Sequence, residues 1–401
     1  MAPVPRIDAP AHRIRDEQEA LELAHRLAEK FAAQSAQRDR ERRLPFAEID
    51  EFSQSGLWGI SVPREYGGAG ASYATLAEVM AIVSAGDASI GQIPQNHFYM
   101  VEAIRLDGSE EQKRYFFDAV LRGDRFGNAF TEVGTKTILD LKTRIEREGD
   151  RYRLNGKKFY STGAIFSHWV PTVAFNENDQ FVIAFAPRDA NGVTVIDDWT
   201  CFGQRTTASG SVYLDDVELT DLEIIVHQAA FDRPTPMGPV AQILHAAIDT
   251  GIARAALADT IDFVRKYTRP WIDSGQDHGY EDPYIISMVG DLEIKVHAAD
   301  AMLERAGHII DEAAANPNEE TVAAASVAVA ESKAYSTEVS LLATNKLFEL
   351  AGTRATLEEY NLNRHWRNAR AHTVHDPVRW KYQAIGNFWL NGVYPPRHGA
   401  I

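Results

Sequence analysis

Between about residues 126 and 235 the chain gives up helical periodicity for a series of short β-rich runs, and long helical patterns stand on both sides. That order, α then β then α, restricts the fold more than any single motif. Residues 16–40, "DEQEALELAHRLAEKFAAQSAQRDR", place Ala, Leu and Phe at helical spacing with charges between them, the pattern of an amphipathic helix. Further helices are expected to about residue 122, interrupted by "SVPREYGGAGAS", where Pro63 and the glycines 67, 68 and 70 enforce a loop. The runs "YRLNGKKFYSTGA", "HWVPTVAF", "QFVIAFAP", "GVTVI" and "SVYLDDVEL", separated by Gly, Asn and Asp turns, read as strands of a compact β-domain. Beyond residue 236, "QILHAAIDTGIARAALADTIDFVRKY" and "EETVAAASVAVAESKAYSTEVSLLATNKLFELAG" carry apolar faces wide enough to pack on other helices. The second has so few large charged residues that it is expected inside a bundle or an oligomer interface. The expected division is a helical domain over 1–125, a β-domain over 126–235 and a helical bundle over 236–401.

Composition narrows the function classes. With 401 residues, 45% of them hydrophobic, the chain can bury a large core. A net charge of -16 without any Lys/Arg block argues against a nucleic-acid partner. Cys201 is the lone cysteine, so no internal disulfide or thiolate cluster forms. The N-terminus lacks the apolar core of a signal peptide, and no run reaches the roughly 18 apolar residues of a membrane span, so a cytoplasmic protein is expected. The histidines do not fall into H-E-x-x-H or a comparable spacing, so no metal is expected. "YGGAG" does not continue as a phosphate-binding glycine loop and reads as a turn.

One stretch is unusually rich in ionisable chemistry. "RNARAHTVHDP", residues 367–377, holds two arginines, two histidines and an aspartate followed by proline, with Arg364 three residues before it. A solvated helix face normally carries Glu and Lys instead.

Taken in order, several stretches resemble the acyl-CoA dehydrogenase family. "VPREYGGAGASYATLAEV" is similar to that family's loop between early helices, "NAFTEVG" (128–134) to its flavin-contacting stretch, and "GKKFYSTGA" (156–164) to a strand that follows. "FGQRTTASGSVYLDDVEL" is similar to the strand pair closing its β-domain, and "RNARAHTVHDP" lies where the family carries its catalytic glutamate. The resemblance spans roughly residues 15–395 and implies an α+β fold: an N-terminal helical domain, a central β-barrel-like domain and a C-terminal four-helix bundle.

Two departures redirect the chemistry. Asp376 stands where a dehydrogenase has its glutamate base, one methylene short and followed by Pro377. "KLFELAG" (346–352) puts Glu349 and Leu350 where the family has a glycine pair beside the FAD pyrophosphate, so FMN is favoured over FAD. With these changes, "SIGQIPQNHF", "RFGNAFTE", "VTVIDDW", "ASGSVYLDDV" and "YTRPWIDSG" resemble the two-component flavin monooxygenases typified by dibenzothiophene monooxygenase, most closely the SfnB-type sulfur acquisition oxidoreductases. That resemblance implies FMNH2 from a separate flavin reductase, O2, a C4a-hydroperoxyflavin, a small organosulfur substrate, and a homodimer or homotetramer.

It also implies site residues, each with a plainer alternative. His375 is the leading proton donor, or else a helix cap. Asp376 orients it, or caps a helix itself. His97 lies on the substrate side of the flavin, or is a satisfied structural histidine. Asn128, Ser161 and Thr162 hold the flavin edge near N5, or are ordinary turn residues. Phe159 and Trp199 stack on the ring system, or are β-domain core. Arg269 and Arg370 bind the phosphate, one of them across a subunit boundary, or are surface ion-pair partners. Arg364 and Arg367 receive no role. Two other functions remain open: an FAD-dependent acyl-CoA dehydrogenase with Asp376 as base, and an inactive scaffold of the same fold.

Overall fold

The computed structural model describes residues 2–137 and 140–401. Six helices come first: α1 (Glu17–Glu41), α2 (Phe46–Gln54), α3 (Tyr73–Gly86), α4 (Ala88–Gln92), α5 (Gln95–Asp107) and α6 (Glu110–Leu121). Seven strands follow: β1 (Arg144–Glu148), β2 (Arg151–Lys158), β3 (Trp169–Phe175), β4 (Phe181–Pro187), β5 (Val193–Ile196), β6 (Ser211–Leu219) and β7 (Ile224–Val226). The chain then returns to helix in α7 (Ala229–Asp232), α8 (Met237–Tyr267), α9 (Pro283–Ala315), α10 (Glu319–Ala351), α11 (Asn363–His372) and α12 (Arg379–Asn391).

Local chemistry sets the helix ends. Asp16 accepts from the Glu19 amide at 2.9 Å to start α1, and Ser109 with Gln112 forms a capping box on α6. Asp282 caps α9, with Pro283 in its first turn, and Asn318 caps α10. The long helices meet closely where glycine permits it. A Cβ on Gly86 of α3 would lie 2.5 Å from the Ala28 carbonyl oxygen of α1, and one on Gly251 of α8 would lie 2.4 Å from that of Ala81 in α3. Helix α3 is therefore wedged between α1 and the pair α8 and α9, which explains why its sequence "YATLAEVMAIVSAG" has no charged face. Helices α8, α9 and α10 pack on one another, and α11 and α12 each lie against α10 to complete the C-terminal bundle.

The strands form one sheet in the order β5-β6-β2-β1-β3-β4-β7. All neighbours are antiparallel except β1 and β3, which meet in parallel at Arg144 and Phe175. Strands β1 and β7 go beyond the runs expected from sequence. In β1, "RIERE", Ile145 is the buried residue and the rest is charged, so its place depends on pairing with β2 rather than on a hydrophobic signature.

Candidate active site

Helix α11 is the element that ties the three parts together. Arg367 reaches Asp39 of α1, with Nη2 2.5 Å from Oδ2, and donates to the Phe202 carbonyl at 2.9 Å. The Gln204 amide donates to Asn368 Oδ1 at 2.8 Å, so the loop between β5 and β6 rests on this helix. Arg364 and His365 both contact Asp259 of α8 at 2.7 Å. The two arginines left without a role are thus anchors, and they fix α11 along the seam between sheet and bundle. Arg370 differs. Its Nη2 donates to Thr373 Oγ1 at 3.0 Å, while its buried Nε has no partner among the described residues.

At the C-terminal end of α11 the chain enters a buried polar network. His372 Nδ1 lies 2.5 Å from Asp249 Oδ1 of α8, and Lys333 Nζ of α10 lies 2.5 Å from Asp249 Oδ2, which also accepts from Thr337 Oγ1 at 3.0 Å. His372 Nε2 faces His245 Nδ1 at 3.1 Å. Burial opposes ionisation of Asp249, but Lys333 and His372 overcome it and hold its pKa down to about 2. Burial lowers the pKa of His372, and drives that of His245 far below the usual imidazole value.

His375 stacks on His245, with ring centroids 4.1 Å apart and planes 30° from parallel. Its side chain is 48% exposed, and Nδ1 is bonded to Asp376 Oδ1. Asp376 itself is buried, with Lys381 Nζ 2.9 Å from Oδ2 in an ion pair that lacks hydrogen-bond alignment. Burial would raise the Asp376 pKa, yet His375 and Lys381 hold it well below the ordinary carboxylate range. Lys381 is fixed in turn by Gln242 Oε1 at 2.9 Å and the Ala400 carbonyl at 3.2 Å, and Gln242 Nε2 donates to the Gly399 carbonyl at 2.6 Å. The C-terminal residues therefore brace the carboxylate that orients His375.

Across the seam the sheet contributes a second group. Phe159, Tyr160 and Trp199 form an aromatic cluster with centroids 4.8–6.3 Å apart. The Trp199 indole donates to the Gln204 carbonyl at 2.9 Å, and the Phe159 amide to the Thr131 carbonyl at 2.9 Å. Thr162, Ser209 and Thr207 link through hydroxyl contacts of 2.7 Å each. Ser161 Oγ, beside them and buried, has no partner among the described residues. Asn128 is half-buried, its Oδ1 accepting from the Phe130 amide at 3.0 Å. Below this cluster Lys158 is fixed by Glu132 at 2.8 Å. Burial lowers the lysine to about 8; it opposes ionisation of Glu132, whose bonds to Lys158 and Thr143 nevertheless hold it at about 2. The sheet group and the bundle network both border α4: Gly163 sits close to Ile93 just after that helix, and α4 packs on α8 and α11.

Two of the expected residues stand apart. His97 is buried among Trp58, Phe98 and Phe126. The Phe126 amide donates to its Nδ1 at 3.1 Å, so Nε2 carries the proton and donates to the Trp58 carbonyl at 2.8 Å. Burial lowers its pKa to about 3, and both ring nitrogens are spent on backbone. Arg269 is exposed just past the end of α8. At about 1.5 Å per residue, the helix puts it roughly 35 Å from His245 within one protomer.

Sequence reasoning missed His245, Asp249, Lys333, His372 and Lys381. A signal was available for the first pair: "HAAID" puts a histidine and an aspartate four residues apart, on one face of an otherwise apolar helix.

The fold and the seam site define the class: the chain belongs to the acyl-CoA dehydrogenase family. It matches the acyl-CoA dehydrogenase N-terminal domain over residues 15–124, the middle domain over 128–217 and the C-terminal domain over 243–380. Within the family it falls with the flavin monooxygenases. It is 34% identical to dibenzothiophene monooxygenase of Rhodococcus erythropolis over 93% of each chain. It is 30% identical to the probable FMNH2-dependent monooxygenase SfnC of Pseudomonas putida, covering 94% of this chain and 96% of that one. FMN-bound TdsC from Paenibacillus sp. A11-2 superposes with a TM-score of 0.91 at 30% identity, over 95% of this chain and 100% of that one.

Proposed function

We propose that the chain is the oxygenase of a two-component flavin monooxygenase, taking FMNH2 from a separate reductase in the cytoplasm and using O2 to oxygenate a small organosulfur compound. The observation that carries this reading is the state of Asp376. Held ionised between His375 and Lys381, it is committed to orienting an imidazole and is poorly placed to remove a substrate proton as a dehydrogenase base. The names of the relatives support the same direction: one acts on dibenzothiophene, one is FMNH2-dependent, and one binds FMN.

The residues present fit FMN. Ser161 Oγ and Arg370 Nε are buried polar atoms without partners among the described residues, one beside the aromatic cluster and one on α11, as a ring edge and a phosphate would require. The FAD alternative lacks a comparable cradle, because α10 runs as continuous helix through Phe348–Ala351 and Glu349 pairs with Lys346 at 2.6 Å. Reduced FMN, when bound, supplies the electrons that activate O2. Ser161, with Thr162 and Asn128, would hold the ring edge, while Phe159 and Trp199 would wall off one side and exclude water. His375, oriented through Nδ1 by Asp376, gives a proton from Nε2 and recovers it afterwards. His97 holds the backbone of Trp58 and Phe126 together and takes no part in proton transfer.

Arg269 can serve a phosphate only from a second copy, given its distance along α8. A homodimer, or a tetramer of two dimers, is supported by exposed apolar side chains: Trp271, Ile272 and Tyr284 near Arg269, and, separately, Trp389 and Leu390 of α12. The reading is tested by reductase-coupled turnover of sulfides, sulfoxides, sulfones and sulfonates under isotopically labelled oxygen. One labelled oxygen atom in the product, with FMN required, is expected. Tightly bound FAD bleached by an acyl-CoA without oxygen overturns it.

A further inference from the structure

The network behind His375 has a polarity that its atoms dictate. Asp249 is ionised and can only accept, so His372 donates to it from Nδ1–H. A neutral His372 then has a bare Nε2, which can only accept from His245 Nδ1–H. His245 is left uncharged, its proton on Nδ1, with its ring face against His375. The alternative is an imidazolium at His372 paired with Asp249. That would keep the Nδ1–H donation to Asp249 but reverse the bond to His245, so that His372 Nε2–H donates to His245 Nδ1 and the His245 proton moves to Nε2. Lys333 decides between them. Its ammonium, 2.5 Å from Asp249 Oδ2, already neutralises the carboxylate, leaving no uncompensated charge to draw a proton onto a fully buried His372.

We infer that Lys333 and Asp249 are positioning residues for the proton chemistry of the site: through His372 they fix the tautomer of His245 and keep it uncharged beneath His375, so that His375 alone carries the proton the site exchanges. This rests on the reading of His375 given above, but the network itself is measurable in protein that holds no flavin. The charged and titratable groups around the stacked pair come from every packed element: Asp249 on α8, Lys333 on α10, His372 on α11, Asp376 in the turn that follows and Lys381 on α12, with His398 of the C-terminal tail beside Lys381.

The test is nitrogen NMR of histidine-labelled, flavin-free protein, which distinguishes protonated from bare ring nitrogens, with the His375 titration followed in the same samples. The wild type is expected to show His245 protonated at Nδ1 and bare at Nε2. Lys333→Met leaves Asp249 uncompensated, so His372 takes a proton, His245 switches to the Nε2–H form, and the like charge brought near His375 disfavours its protonation. Lys333→Arg keeps the charge and the wild-type pattern. The double variant Asp249→Asn, Lys333→Met removes both charges, and the asparagine Oδ1 still accepts from His372. It is therefore expected to restore the wild-type tautomer and titration that the single Lys333→Met change destroys, and to fold even where that change does not. An unchanged tautomer in Lys333→Met, or a double variant no closer to wild type than the single one, overturns the inference. Correct tautomers in a protein without oxygenase turnover would leave the network standing and remove the functional reading instead.

Discussion

His97 and His375 look alike in sequence, each the histidine of a short polar motif, but the molecule holds them in opposite ways. His97 gives both ring nitrogens to backbone groups of Trp58 and Phe126 inside an aromatic pocket. His375 gives one nitrogen to a carboxylate and keeps about half of its side chain accessible. Backbone partners cannot titrate, so a histidine between two of them is locked neutral. A carboxylate balanced by Lys381 leaves the imidazole oriented and free to exchange a proton. The partner, more than the histidine, decides whether the residue can do chemistry.

The largest expected effect follows from His375. Replacing it with Ala is expected to lower reductase-coupled turnover at least about 100-fold at a stability cost of only about 1 kcal/mol, because the side chain is half exposed and the buried Asp376 keeps its pairing with Lys381. Full oxygenation by that variant would return this stretch to the status of surface. His97→Ala is expected to do the reverse. It strands the Trp58 carbonyl and the Phe126 amide in a dry pocket and opens a cavity, costing on the order of 3 kcal/mol in chemical denaturation, with turnover per folded molecule close to wild type. Lost turnover in a fully stable His97→Ala protein would erase the contrast.

The same contrast has a pH signature. Folding lowers the His97 pKa from 6.5 to about 3. Below 6.5 the unfolded chain binds a proton that the folded one refuses. The stabilisation is thus complete above about pH 6.5 and declines as pH falls toward 3, at up to about 1.4 kcal/mol per pH unit for one proton. His245 and His372, also lowered, act in the same direction, whereas the stabilisation from Asp249 is complete above its unfolded value of 3.8 and is lost only as pH falls below it, outside this window. Urea midpoints measured from pH 7 to 4.5 are expected to fall less steeply in His97→Gln than in wild type, by about one proton's worth. Parallel slopes would mean that His97 is already protonated in the folded protein.

Much of this arrangement is legible in the chain, and what is not has physical causes. Long helices declare themselves by period: α1 ends within a residue of the run 16–40, and α8 begins at Met237, beside the change of texture. Strand β1 does not, because one buried isoleucine among four charges carries no period and its position is set by β2. The residues Phe159, Ser161, Thr162 and Trp199 could be singled out because they sit in short motifs with recognisable order. The role of Arg367 could not, since Asp39 lies 328 positions away. His245, Asp249 and Lys333 were passed over for a related reason. They are isolated charged or titratable groups on the buried faces of α8 and α10, and their meaning appears only where α8, α10 and α11 converge.

The smallest effect is expected at the flavin edge, where the contrast between a residue held by protein and one left for a ligand recurs within two positions. Thr162 belongs to a closed chain of hydroxyls with Ser209 and Thr207, so Thr162→Val removes a buried partner and should cost about 1 kcal/mol of stability with little change in FMN affinity. Ser161 Oγ is buried with no partner among the described residues. Ser161→Ala should therefore leave stability unchanged or raise it slightly, because an unmet desolvation cost disappears, while FMNH2 binding weakens by one hydrogen bond, about 5-fold. Anaerobic flavin titration beside urea denaturation of both variants reads the two signs independently. If Ser161→Ala loses stability and keeps its flavin affinity, the orphan hydroxyl has a partner inside the protein, and Thr162 becomes the residue facing the ring.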